Sequence, residues 1–161
     1  MTEPDPAAAE TTQRQVYDAG MAVRREVLGD AHVDRANARV DDFTADFQDM
    51  ITRFAWGTIW TRPGLDRRSR SMITLTAMIA GGHTEELAMH VRAALTNGLT
   101  RDEIKEVLLQ SAVYCSVPSA NSAFATAQRV FADLDRADLD RADLDRADLD
   151  RADLDRQRPS P

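Results

Sequence analysis

The chain has 161 residues, a formal net charge of −7 and one cysteine, Cys115. Five tandem copies of ADLDR fill residues 132–156, and each carries two Asp and one Arg, so together they contribute −5 of the −7 and leave the other residues nearly neutral. This balance excludes the concentrated basic face that nucleic acids require, and a single cysteine excludes a disulfide framework and a cysteine-based zinc site.

No sequence feature indicates export or membrane insertion. Residues 1–10, MTEPDPAAAE, are acidic and lack a basic region followed by an apolar one, so we do not expect a secretory signal. The longest mostly apolar run, residues 72–82, is too short and too rich in threonine to span a bilayer. We therefore expect a soluble, cytoplasmic protein with no membrane and no nucleic-acid partner.

Apolar residues recur at helical spacing along residues 12–131, which predicts one all-α domain. Thr100 and Glu103 have the spacing of a capping box, and Asp66 is a candidate N-cap residue. Gly98 is placed to end the helix that precedes the capping box. No alternating pattern of useful length predicts a β-strand. Helices are expected over residues 11–28, 41–56, 67–80, 84–97, 100–115 and 118–131.

The ADLDR array has no face that a helix could bury. Each residue of an α-helix turns by about 100°, so a period of five moves successive leucines by about 140°. The leucines would then spread around the whole circumference instead of forming one stripe. We therefore predict that residues 132–161 form a low-complexity acidic tail, solvated or disordered. A calcium-binding or partner-binding tail is the alternative, but the repeats lack the glycine turns of a calcium loop.

Two of the three histidines lie in GGHTEELAMH, residues 81–90. On a helix, His83, Glu86 and His90 fall on one face, because they are spaced i, i+3 and i, i+7. They could form a proton-handling site with catalytic roles. Alternatively, Glu85 and Glu86 only favour the positive end of the helix, and His90 is a packing residue. Two imidazoles about 10.5 Å apart along the axis cannot easily share one ion, so no metal site is expected.

Other polar residues are candidates for binding a dianionic ligand, which requires at least one fork-shaped donor. Arg25 and Arg70 could supply that donor, although each could equally be a surface residue. Tyr114 and Ser116, at the break between two helices, are further substrate-binding candidates. The alternative is that Tyr114 and Cys115 pack in the core and that Ser116 caps the following helix.

Three segments resemble the γ-carboxymuconolactone decarboxylase family: residues 17–36, residues 54–75, and GGHTEELAMHVRAALTNGLTRDEIKEVLLQSAVYCSVPSANSAF at 81–124. The third also resembles the wider alkylhydroperoxidase-D-like superfamily, whose members carry C-x-x-C-x-x-x-H. On this chain those positions fall at His83, Glu86 and His90. Acid–base groups therefore stand where those relatives have a redox pair, and Cys115 alone cannot supply a dithiol.

The resemblance implies an alkylhydroperoxidase-D-like helical subunit in a trimer-based ring, a hexameric homo-oligomer, with no cofactor. It also implies the reaction: 4-carboxymuconolactone loses carbon dioxide to give 3-oxoadipate enol-lactone, in the protocatechuate branch of the β-ketoadipate pathway. The partner is then a small lactone dicarboxylate. We expect His83 or His90 to donate to the lactone oxygen or protonate the α carbon, with Glu86 as relay and Arg25 or Arg70 on a carboxylate.

Three other functions remain open on the sequence. The first is a peroxide-reducing disulfide enzyme of the same superfamily, which the missing C-x-x-C disfavours. The second is a non-catalytic helical oligomer or binding module that retains the fold. The third is a decarboxylase or isomerase that acts on a different lactone or β-keto acid, because the shape of the pocket decides between such substrates.

Overall fold

The computed structural model describes the backbone of residues 6–156, and side chains over 12–146 and at 149 and 151. Residues 1–5, part of the segment judged not to be a signal, and 157–161, the end of the expected tail, lie outside that range. The described chain is helical without strands, which confirms the all-α class. The helices are α1 Pro6–Leu28, α2 Asp30–Asn37, α3 Ala45–Ile51 continued by a π-helical segment Thr52–Trp60, α4 Arg67–Gly81, α5 Thr84–Thr96, α6 Arg101–Tyr114 and α7 Val117–Arg156.

Local capping fixes the ends of the central helices. The Asp66 carboxylate accepts a hydrogen bond from the Ser69 amide at 2.8 Å and so begins α4. The expected capping box begins α6: the Glu103 amide donates to Thr100 Oγ1 at 3.1 Å, and the Thr100 amide donates to Glu103 Oε2 at 2.8 Å. Gly82 ends α4 at a φ of 70°, which a residue with a Cβ rarely adopts.

The main core lies where α4, α5, α6 and α7 pack together. Burying a whole leucine or isoleucine side chain contributes about 1.5–3 kcal/mol each, so this cluster is the main source of stability. Its most buried members are Leu75, Val91, Ala94, Ile104, Leu108 and Ala123.

A second cluster joins α1 to the π-helical segment and α5. Its buried members are Val27, Trp56 and Ala93. The rings of Trp56 and Trp60 pack against each other in a tilted arrangement, with their centres 5.2 Å apart. This junction is separate from the main core, and α5 belongs to both. The outer face of α5 is thereby fixed against α1.

Two glycines let α1 and the π-helical segment approach backbone to backbone. A Cβ added at Gly20 would lie 2.2 Å from the Thr52 carbonyl oxygen, and one added at Gly57 would lie 2.3 Å from the Val16 carbonyl oxygen. Neither distance is possible for real atoms, so both positions require glycine at this crossing. The close crossing brings the next turn of α1 directly against Thr52.

The predicted helix over 41–56 differs from the structure at both ends. Asp41 instead forms a turn, in which its carboxylate accepts from the Thr44 amide at 3.0 Å and from Thr44 Oγ1 at 2.7 Å. The helix then begins at Ala45 and continues to Trp60. The helix α2 was not predicted, because Val33 is its one buried residue and leaves almost no apolar period to detect.

The ADLDR array continues α7 as one helix to Arg156. In the first copy, Leu134 packs partly against the main core, Asp133 pairs with Arg92 at 3.3 Å, and Asp135 pairs with Arg101. In later copies, the leucines at 139, 144 and 149 are about two-thirds exposed. The array is therefore helical, and among the side chains described in it only those of the first copy are docked on the domain. The domain boundary at 131/132 stays a prediction.

Candidate functional site

The three predicted catalytic residues occupy the first two turns of α5. His83 is the exposed N-cap residue, and its ring lies over Gly81, where an added Cβ would be 2.6 Å from the imidazole. Glu86 is exposed and His90 is half-buried. In the described part of the chain no hydrogen bond joins the three side chains, so they share a face without forming a bonded relay.

Burial and two neighbouring side chains shift the pKa of His90. Burial is the largest effect and lowers the pKa of His90; the Glu86 carboxylate raises that pKa, and the His32 imidazole lowers it. Because the net direction is downward, His90 is a neutral imidazole near pH 7, with one N–H donor and one nitrogen acceptor. It can donate a hydrogen bond to a developing negative charge without already carrying a charge itself.

His32 is the third histidine and was not among the site residues predicted from the sequence. It is half-buried on α2 and close enough to His90 to lower the pKa of that residue. Burial lowers the pKa of His32 most, followed by the positive charges of Arg24, Arg35 and Arg39. Arg24 on α1, His32 on α2 and His90 on α5 together define the α1–α2–α5 junction, a half-buried region of positive potential. No spacing in the sequence links α2 to α5.

Arg24 is the most buried charged residue of this junction, with 5% of its surface exposed. Its Nη1 lies 3.4 Å from Thr52 Oγ1 and its Nη2 lies 3.4 Å from Gln48 Oε1, both at the long limit of a hydrogen bond. Its buried Nε has no partner. Loss of hydration lowers the pKa of Arg24. Arg24 shares one helical stripe of α1 with Gly20 and Val27, but the sequence does not show what that stripe packs against.

Two of the four predicted substrate-binding residues, Arg25 and Arg70, are bonded to other groups of the protein. Arg25 is held by Asp30 and Asp34 at 2.9 and 2.7 Å, which raises its pKa. Arg70 Nη2 donates to a backbone carbonyl on the preceding loop at 2.9 Å. Within the described residues none of the four bonds to His83, Glu86 or His90. Their substrate roles therefore stay predictions.

Tyr114 and Ser116 lie at the α6–α7 junction. Tyr114 is 81% exposed, so the alternative that it packs in the core is wrong. Ser116 caps α7 as the other alternative expected, since its Oγ accepts from the Ser119 amide at 3.1 Å. Cys115 packs half-buried against the main core.

Metal sites, grooves and membrane-spanning helices are the other features of the described residues that bear on binding. No group of three or more His, Cys, Asp or Glu side chains there is placed to share a metal ion. A groove of about 280 Å³ between α4, α5 and α7 is lined on α5 by Thr84 and Leu87, and neither Glu86 nor His90 lines it. No helix within residues 6–156 is long and apolar enough to cross a bilayer.

The described features define an all-α protein with an acid–base cluster on α5 and one thiol. Residues 45–129 match the carboxymuconolactone decarboxylase family. A 4-carboxymuconolactone decarboxylase of Acinetobacter baylyi is 48% identical over 120 residues, which cover 74% of this chain and 90% of the relative. The chain therefore belongs to the carboxymuconolactone decarboxylase family.

Other similarities extend this comparison. A nitrosuccinic acid decarboxylase of Metarhizium robertsii is 41% identical over 128 residues, covering 80% of this chain and 90% of the relative. A 4-carboxymuconolactone decarboxylase of Pseudomonas putida is 62% identical over 45 residues, which are 28% of this chain and 94% of the relative. Residues 130–156 match pentapeptide repeats, although the same segment is α-helical in this structure.

Proposed function

We propose that this chain decarboxylates 4-carboxymuconolactone to 3-oxoadipate enol-lactone and carbon dioxide, in the catabolism of aromatic compounds through the β-ketoadipate pathway. The observation that carries the proposal is the 48% identity to a relative of that name over 90% of the relative's length. The acid–base residues on α5 agree with it, since they occupy the positions of the superfamily's reactive pair.

The chemistry needs no cofactor because the substrate carries its own electron sink. The bond between the γ carbon and its carboxylate breaks, and its electron pair moves through the ring double bond to the lactone carbonyl oxygen. Carbon dioxide leaves, and a proton then adds to the α carbon. The protein must hold the substrate, stabilise negative charge on the lactone oxygen and supply that proton.

We assign these tasks from the surroundings of each residue. Neutral His90 donates its N–H to the lactone oxygen, where a preorganised donor in a half-buried site acts most strongly. Glu86, one turn earlier, orients the imidazole and its charge opposes the loss of basicity caused by burial. His83, exposed at the start of α5, exchanges protons with solvent and delivers one toward the α carbon.

We further propose a cytoplasmic homo-oligomer built on a trimer, with six subunits. Two exposed apolar faces support self-association, because contiguous exposed apolar surface marks interaction sites. One face lies on α3 and its π-helical continuation, and the other on α4, α6 and the start of α7. The residues are Phe43, Phe47, Met50 and Phe54 on the first, and Ile73, Leu109, Val113, Tyr114 and Val117 on the second.

The experiment is direct. The lactone is made in situ, and carbon dioxide release is followed with and without the full-length protein. Glu86→Gln and Glu85→Gln form a matched pair, because they are adjacent exposed acids on different faces of α5. We expect Glu86→Gln to lower kcat and Glu85→Gln to keep it. An intact protein that does not accelerate release from the lactone would exclude the proposed activity.

A different carboxylic substrate is the second candidate, favoured by the similarity to a nitrosuccinic acid decarboxylase. Both 4-carboxymuconolactone and nitrosuccinic acid can lose carbon dioxide to an electron sink that they already contain. Competition between the lactone and nitrosuccinate, judged by kcat/KM, decides between them. The dithiol alternative requires two thiols, and the chain has one cysteine.

A further inference from the structure

We propose that the buried guanidinium of Arg24, where α1 crosses the π-helical segment, binds the substrate carboxylate that is retained through the reaction. This inference rests on the proposed decarboxylation and names the anion-binding residue of the same site. It replaces Arg25 and Arg70, the arginines favoured by the sequence.

The first argument is the incomplete bonding of Arg24. A guanidinium presents five N–H donors, and a buried donor without an acceptor costs about 1–3 kcal/mol. Here the two bonds to Thr52 and Gln48 are both 3.4 Å long, the acceptors are neutral, and Nε is buried without a partner. A carboxylate would supply two charged acceptors in the geometry of that planar fork.

The second argument is the contrast with the next residue. Arg25 lies about 100° around α1 from Arg24 and is already neutralised by two aspartates, Asp30 and Asp34. Arg24 has no ion pair among the side chains described. Of the two adjacent arginines, only Arg24 therefore retains an uncompensated charge in a place shielded from water.

The third argument is the sign of the surroundings. Arg24, Arg35 and Arg39 all act on His32, and His32 acts on His90, so three guanidinium groups lie close to His32, which in turn lies close to His90. Glu86 is the one acid that acts on either histidine. A substrate with two carboxylates would gain from this potential in an otherwise acidic chain.

The retained carboxylate is the better partner on energetic grounds. An ion pair with the departing carboxylate would stabilise the ground state and be lost in the transition state, which raises the barrier. An ion pair with the retained carboxylate is equally strong in both states. Arg24 should therefore contribute to binding and position, and its loss should raise KM while kcat is largely kept.

The test compares Arg24→Met with Arg67→Met, which removes an exposed arginine paired with Glu26. We expect Arg24→Met to raise KM about 10–100-fold with little change in kcat, and Arg67→Met to retain wild-type values. Arg24→Lys, which keeps the charge without the fork, should lie between. A folded Arg24→Met protein with wild-type KM, or a raised KM in Arg25→Met instead, would overturn the proposal.

A second readout does not depend on turnover. Succinate, an unreactive dicarboxylate, should raise the Tm of the wild type and of Arg67→Met but not of Arg24→Met. If the wild type does not turn over the lactone, loss of this shift in Arg24→Met still supports the anion site, and its persistence rejects it. If Arg24→Met does not fold, Arg24→Lys carries the test, and an unchanged KM there rejects the assignment.

Discussion

The α1–α2–α5 junction and the ADLDR array use charged residues in opposite ways. At the junction a few cationic or titratable groups are half-buried or buried, and Arg24 has no carboxylate partner. Along the described part of the array the charges are numerous and exposed, and some pair with near neighbours, as Arg136 does with Asp133 at 3.9 Å. The array holds most of the net charge, and the junction holds the residues proposed for the chemistry.

The difference follows from hydration. An exposed ion pair contributes about 0–1 kcal/mol, because water screens it and two flexible side chains must be ordered. A group removed from water responds strongly to each neighbour, so its pKa shifts and an absent partner is costly. Charge density alone would have pointed to the tail, whereas burial points to Arg24, His32 and His90.

Removal of the His90 imidazole should give the largest effect. His90→Leu removes the N–H donor that the proposal aims at the lactone oxygen and leaves an apolar side chain at this half-buried position. We expect kcat to fall about 10²–10⁴-fold with the fold intact. Steady-state kinetics with the lactone measure kcat, and a far-UV circular dichroism spectrum shows whether the fold is intact. Near-normal turnover in a folded variant would show that the junction does not perform the catalysis.

As the pH is lowered, His90 and His32 should reduce the free energy of unfolding at a higher pH than the carboxylates do. The folded pKa of His90 is lowered, mainly by burial, below the unfolded value of about 6.5, and that of His32 is shifted the same way. The unfolded chain therefore binds protons more readily, so stability rises with pH across this window and falls below about pH 6.5. Arg24, Arg35 and Arg39 add to the shift of His32.

Chemical denaturation at pH 7 and pH 5 measures this linkage. His90→Gln should show a smaller loss of unfolding free energy between the two values than the wild type. Asp41, Asp66 and Glu103 also have lowered pKa values, but their contributions are lost only near and below about pH 4. Equal losses in both proteins would contradict the burial of His90.

Equivalent aspartates in the first and second repeat copies should differ in effect. Asp135 pairs with Arg101, whose guanidinium also lies 4.8 Å from the centre of the Phe131 ring, and this pairing lowers the pKa of Asp135. Asp140 occupies the same repeat position one copy later and is exposed. We expect a small decrease in Tm for Asp135→Asn and none for Asp140→Asn, by differential scanning fluorimetry. Equal Tm values would mean that the first copy is not docked.

Local signals could be predicted from the sequence, and long-range geometry could not. The Asp66 cap and the Thr100–Glu103 capping box depend on residues three positions apart, so the sequence alone identified them. The helical class and the α5 position of Glu86 and His90 followed from periodicity and resemblance.

The features that could not be predicted, Arg24 and His32, depend on contacts between distant parts of the chain. Arg24 and Arg25 are neighbours of identical type, and what separates them is which side of α1 meets the π-helical segment. That contact is set by Gly20 and Gly57, whose roles become clear only when two backbones touch. His32 lies on the short α2, where one buried residue gives no period to detect. Pairings between distant helices carry no local signal.

Truncation within the array should give the smallest effect and the sharpest division between the two regions. Deletion of residues 137–161 keeps the docked first copy and removes later copies whose described leucines are exposed, so we expect unchanged Tm and unchanged kcat/KM. Deletion of 132–161 also removes half-buried Leu134 and the pairs of Asp133 and Asp135 with α5 and α6. It should lower stability by about 1 kcal/mol, from the leucine alone, and keep activity. Because all copies are identical, a chain shortened by whole copies should behave like the full chain as long as one copy remains. A loss of activity on deleting 137–161 would show that the array acts on the junction, and the separation argued between them would fail.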